Sequence, residues 1–177
     1  MEHLNGNILA VVDLETTGTD SKLHDIIDIC VLPLDKFYKP TTIPFNMQLS
    51  PLRKENWDYE ALRAQRKHLD QDIKDKICFN KERVLERMLK GVNPYTAADY
   101  LVEWFENLKL APFKRIMPIA HNWVFDRSFL IEWLGQKSFD YIFDPRYRDT
   151  MCNSLYENDI ASWRGEPFPY PKNNLGY

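Results

Sequence analysis

Apolar residues in the first third of the chain come in short runs and alternations. The run Ile8-Leu9-Ala10-Val11-Val12 is unbroken, turns polar at Asp13 and Glu15, and stops at Thr16-Thr17-Gly18. Ile26-Ile27-Asp28-Ile29-Cys30-Val31-Leu32 and Phe45-Asn46-Met47-Gln48-Leu49 follow with polar residues interleaved. These patterns predict strands over 8–14, 26–32 and 45–49, close enough in sequence for a three-stranded meander. The period then changes. Leu101, Trp104, Phe105 and Leu108 recur at i, i+3, i+4 and i+7 behind Thr96 and Asp99, a capping-box-like helix start. A fourth strand is expected over 115–120. Asn122 then N-caps a helix on which Phe125, Phe129, Leu130 and Trp133 recur at helical spacing. Tyr147 to Met151 reads as a fifth strand leading into a short helix near Cys152 to Tyr156, and Pro167 to Pro171 as a loop or extended tail.

Strands first, then strands alternating with helices, predict an α/β fold with a mixed sheet flanked by helices. A length of 177 residues suits one domain, 1–177, with enough buried surface for a real core. Asn56 to Met88 is charged and helix-rich, and too long for a simple loop, so a helical insertion is expected within about 52–95. Leu62, Leu69, Ile73, Ile77, Val84, Leu85 and Met88 are its candidate buried positions. Arg63, Arg66 and Lys67 with Trp57 and Tyr59 give it the residue types of a phosphate- and base-contacting surface, although a solvated cover over the sheet uses the same residues.

Net charge is −3, so no overall basic field attracts nucleic acid. Residues 51–90 hold 11 Lys/Arg against 8 Asp/Glu, and the rest of the chain 12 against 18, so any attraction for a polyanion is local. Cys30, Cys78 and Cys152 are odd in number and form no Cys-x-x-Cys pair, which argues against a disulfide framework or a zinc site. With no basic-then-apolar leader and no apolar run near the ~20 residues of a membrane span, a soluble protein of the reducing cytoplasm is expected, with no membrane partner.

The chemistry lies where the apolar runs end. On a strand, Asp13 and Glu15 project from one face about 7 Å apart, a place for hard cations. Ile116 to Ala120 likewise leads through His121-Asn122 to Asp126, in the first turn of the next helix. A carboxylate there also interacts favourably with the helix macrodipole, by a few tenths to about 1 kcal/mol. Cleaving a phosphodiester requires an activated water and stabilisation of the leaving oxygen, and two cations about 3.5–4 Å apart supply both.

Asp13-Leu14-Glu15-Thr16-Thr17-Gly18 and, later, His121-Asn122-Trp123-Val124-Phe125-Asp126 resemble the first two motifs of the DEDD exonucleases, a ribonuclease H-like family. The resemblance covers most of the chain but is poor from about 51 to 95. It implies a two-metal nuclease acting at the 3′ ends of single-stranded DNA or RNA. Asp13 would bridge two Mg²⁺ or Mn²⁺ ions, Glu15 would bind the more buried one and Asp126 the second, through water. Thr16, Thr17 and Asn122 would meet the substrate. The family's last motif, a His or Tyr followed by Asp on a C-terminal helix, has no counterpart before Tyr177. Asp149 is read as a strand-end or helix-cap residue and His121 as a packing or hydrogen-bonding one.

Two functions follow as expectations. In one, the chain is a 3′–5′ exonuclease, or the N-terminal part of a split one, completed by another polypeptide or by self-association. In the other it is a catalytically inactive module that binds nucleic acid or a protein.

Overall fold

The computed structural model describes residues 6–53 and 90–170. The meander forms as expected: β1 (Ile8–Thr16), β2 (Ile26–Leu34) and β3 (Phe45–Gln48) pair antiparallel in succession. On the other side of β1, β4 (Ile116–Ala120) runs parallel to it and β5 (Arg148–Asp149) parallel to β4. The described sheet is therefore mixed, in the order β3-β2-β1-β4-β5, with β1 at its centre.

Alternation along β1 sorts its side chains between two faces. Ile8, Ala10, Val12 and Leu14 enter the main core, against Leu101 of α1 (Pro94–Asn107) and Trp123, Phe129 and Leu130 of α2 (Trp123–Leu134). Leu9 packs on the opposite face with Leu34 and Met117, beside the half-buried Val11, Leu32 and Ile119. Asp13 and Glu15 continue that second face toward the end of the strand.

Several boundaries differ from the sequence expectations. The cap of α1 is Asn93, whose side chain accepts from Tyr95 N–H at 2.9 Å, and Pro94 takes the first turn, where its missing N–H costs nothing. Thr96 and Asp99 are therefore inside the helix. Within the range expected for the insertion, Val92 pairs with the edge of β3, donating to the Gln48 carbonyl and accepting from Ser50 N–H, both at 2.9 Å. Gly91 permits this approach, since a Cβ there would overlap the backbone of Leu49 and Ser50. The rest of the expected insertion, 54–89, lies outside the described residues.

Gly135, at φ 75°, ends α2, and a further short helix that the pattern did not announce, α3 (Gln136–Ile142), buries Phe139 and Ile142. β5 is two residues long, and α4 (Thr150–Arg164) runs well past the short helix expected there. Residues after α4 are irregular but pinned, because the Asn158 amide bonds both the N–H and the carbonyl of Tyr170. Among the described residues no helix is long and apolar enough to cross a membrane.

Candidate metal centre

The site follows from unequal strand lengths. Pairing of β1 with β4 stops at Val11 with Ile119, while pairing with β2 continues to Thr16. The last five residues of β1 therefore have an open edge on the β4 side. The chain leaving β4 turns at Asn122 into α2, whose first turn meets that edge. In open sheets the crevice beyond the carboxyl ends of parallel strands is where ligands bind.

Asp126 is the buried group of the crevice, 5% exposed. Burial pushes its carboxyl up to about 7, and Asp13 adds to the shift. The backbone N–H groups of Asp126 itself and of Leu14 pull the other way, and Asp149 contributes a smaller upward push. The influence of Leu14 N–H places the Asp126 carboxyl against the backbone of β1 between Asp13 and Glu15. Asp13 is solvent-exposed at the mouth of the crevice, and partial desolvation there raises its carboxyl. No ion pair among the described residues involves Asp13 or Asp126.

Glu15 is half-buried and lies opposite Asp28 across the β1–β2 pair, just before the pairing slips between Glu15 and Thr16. The structure brings Asp13 and Asp126 together electrostatically but does not gather all three acids. Among the described residues no group of three or more His, Cys, Asp or Glu side chains is close enough to hold a metal ion. The donor set nonetheless suits a hard cation such as Mg²⁺, which takes carboxylate oxygens and keeps several waters. A buried carboxyl raised by desolvation and by the charge of Asp13 is what a divalent ion would relieve.

The turn after the acids is self-braced. Thr16 Oγ1 donates to the Gly18 carbonyl at 2.6 Å, and Thr17 exchanges bonds with Asp25 through its N–H and, at 2.9 Å, its hydroxyl. Both threonines are buried, so their hydroxyls support the turn. The His24 ring lies where a side chain at residue 18 would be, so Gly18 serves close packing. Arg53 ties the turn to α2, through Asp25, the Ser21 carbonyl at 3.1 Å and Glu132 at 3.4 Å.

Asn122 occupies the cap position of α2 in the left-handed conformation, φ 64°, and makes no side-chain cap. Asp149 supplies it instead. Its carboxylate accepts from Trp123 N–H at 2.8 Å and Asn122 N–H at 3.2 Å, and from Met151 and Cys152 N–H at the start of α4. One side chain thus caps two helices, the strand-end and cap role expected, extended to α2. His121 shares a 3.1 Å hydrogen bond with the Thr150 hydroxyl.

Sequence reasoning missed Asp28 and Cys30 as neighbours of the acids. Cys30 pairs directly with Asp13, and burial with the Asp13 charge pushes its thiol up. The signal was the alternation Asp28-Ile29-Cys30, but only the register shows which acid each residue faces.

No protein-family model matches the chain, and no curated protein does. Solved structures match its fold. Escherichia coli Exonuclease I in complex with a dA16 oligonucleotide superposes with a TM-score of 0.63 at 16% identity, over 95% of this chain and 32% of that one. Exonuclease I from Methylocaldum szegediense gives 0.62 at 16%, over 96% and 32%. A zinc-bound E. coli Exonuclease I–ssDNA complex gives 0.59 at 15%, over 96% and 32%. The chain spans about a third of the length of these proteins. It has the mixed α/β, ribonuclease H-like fold of the Exonuclease I nuclease domain.

Proposed function

We propose that this chain is the metal-holding part of a 3′–5′ exonuclease that hydrolyses phosphodiester bonds at the 3′ ends of single-stranded nucleic acid, DNA or RNA. The observation that carries the reading is the buried Asp126 carboxyl, lodged at the open edge of β1 beside Asp13. Asp13, Glu15 and Asp126 would hold two Mg²⁺ or Mn²⁺ ions. Bound there, the ions would activate a water and stabilise the leaving oxygen. Without them the crevice is negative and repels a phosphate. The braced turn at Thr16 and Thr17 shapes the side of the crevice, and Asn122 stands at its mouth.

We assign the fourth carboxylate and a His or Tyr base to a source outside these 177 residues, a longer chain or a separate polypeptide. A base of this kind contributes about 10²–10⁴-fold in rate. The isolated chain should therefore degrade labelled single-stranded DNA or RNA in Mn²⁺ slowly or not at all. Adding the completing polypeptide should start degradation that Asp13→Asn abolishes. A completed protein that binds no Mn²⁺ and leaves the strand intact contradicts the proposal. One observation favours a silent binding module instead, namely that no three-acid group is formed among the described residues. Strand binding without degradation by the completed protein would select that reading.

A further inference from the structure

At the other end of β1, the segment joining α1 to β4 borders an open groove of about 370 Å³, lined by Phe105, Leu110 and Pro112 and by Lys109, Lys114, Arg115 and Tyr141. Phe113, in the same lining, is 96% exposed. Phe113 and Lys109 both adopt the left-handed conformation, at φ 65° and 50°, which side chains larger than glycine rarely occupy. Strain of this kind persists where a segment is held for a purpose, and an exposed phenylalanine adds nothing to the core. Tyr141 is fixed, its ring edge-on to Phe105 at 5.4 Å and its hydroxyl 3.3 Å from Glu106. Among the described residues Glu106 is the only anionic residue of the lining, which also carries Lys109 and Arg115, on a chain of net charge −3.

We propose that this groove is a second contact site for single-stranded nucleic acid, with a base stacked on Phe113 and phosphates at Lys109 and Arg115. An aromatic face beside a cationic track is the sequence-tolerant way of holding such a strand. The local charge is complementary to a polyanion, and the free ring suits a base better than a carboxylate. Ile8, where β1 begins, is about 17 Å along the strand from Asp13, so the site is separate from the acids. It needs no metal. The choice of polymer rests on the proposed function, while the contact itself does not require catalysis.

Fluorescence anisotropy in EDTA isolates this site, because the acid end repels phosphate without its ions. The full chain and the double variant Lys109→Glu/Phe113→Ala, both exposed positions, are compared with a labelled oligo-dT of about 16 nucleotides, the upper site size of a small single-strand-binding domain. The variant should keep its melting temperature, bind at least about fivefold more weakly and show a salt slope shallower by about 1. Equal affinity for the two proteins, or no binding by wild type, overturns the proposal. Displacement of the strand by an oligoglutamate at lower concentration than by unlabelled oligo-dT, dependent on Phe113, also overturns it and makes an acidic protein the occupant. Degradation by the completed protein in Mn²⁺ is scored separately. Degradation with no effect of the double variant on binding keeps the proposed function and removes this site; Phe113-dependent binding without degradation does the reverse.

Discussion

Replacing Asp126 with Asn measures what the buried carboxyl does to a chain without metal. Its folded value of about 7 lies above the ordinary 3.8, so the folded chain holds this proton more tightly than the unfolded chain. The stability that this contributes is fully present below about pH 4 and is lost as pH rises through about 7, in total on the order of 4 kcal/mol. In EDTA, Asp126→Asn should flatten the fall of melting temperature between these limits and be the more stable protein at about pH 8. An unchanged slope would show that Asp126 is not the titrating group. Thr16 gives a second test. The family resemblance implies that Thr16 meets the substrate. Because the hydroxyl donates to the Gly18 carbonyl in a buried setting, Thr16→Val should cost about 1–3 kcal/mol in urea denaturation. An unaltered midpoint would show that the bond contributes nothing net. Asp13, Glu15 and Asp126 were legible as residues because apolar runs end on them. The hydroxyl partners were not, since a threonine in a turn looks the same whether it faces a ligand or its own backbone.

Asp149 decides how two elements begin. It stands at the end of β5 and its carboxylate receives backbone N–H groups from the first turns of both α2 and α4. A single cap is worth about 0.5–2 kcal/mol, so Asp149→Ala, which removes two, should lower stability by about 1–4 kcal/mol, read from the urea midpoint by circular dichroism. It should also weaken Mn²⁺ binding, because Asp126 rides on the first turn of α2. A loss no larger than one cap, with metal affinity intact, would mean that α2 does not depend on it. The elements with clean periodicity, β1 to β4 and α2, were legible to within a few residues. α3 escaped because it starts directly after Gly135, with seven residues too few to show a period. Asn122 was read as the cap of α2 from its residue type, whereas the capping group comes from residue 149, a contact that only the parallel β4–β5 pairing creates.

At the scale of the molecule, the mixed sheet followed from the order of strand-like and helix-like periods, but the crevice did not. It arises because β1 outruns β4, and no local pattern records how far a strand extends beyond its neighbour. The same sheet separates an acidic end from a cationic, aromatic one. The proposed activity requires the acids to form a divalent-cation site. Calorimetric titration of Mn²⁺ at about pH 8, where the Asp126 carboxyl is ionised, tests this on wild type, Asp13→Asn, Glu15→Gln and Asp126→Asn. Wild type should take up Mn²⁺, and each substitution should weaken the first ion by about tenfold or more, at least 1.4 kcal/mol. Four proteins with the same affinity, or none that binds, would contradict the proposed site.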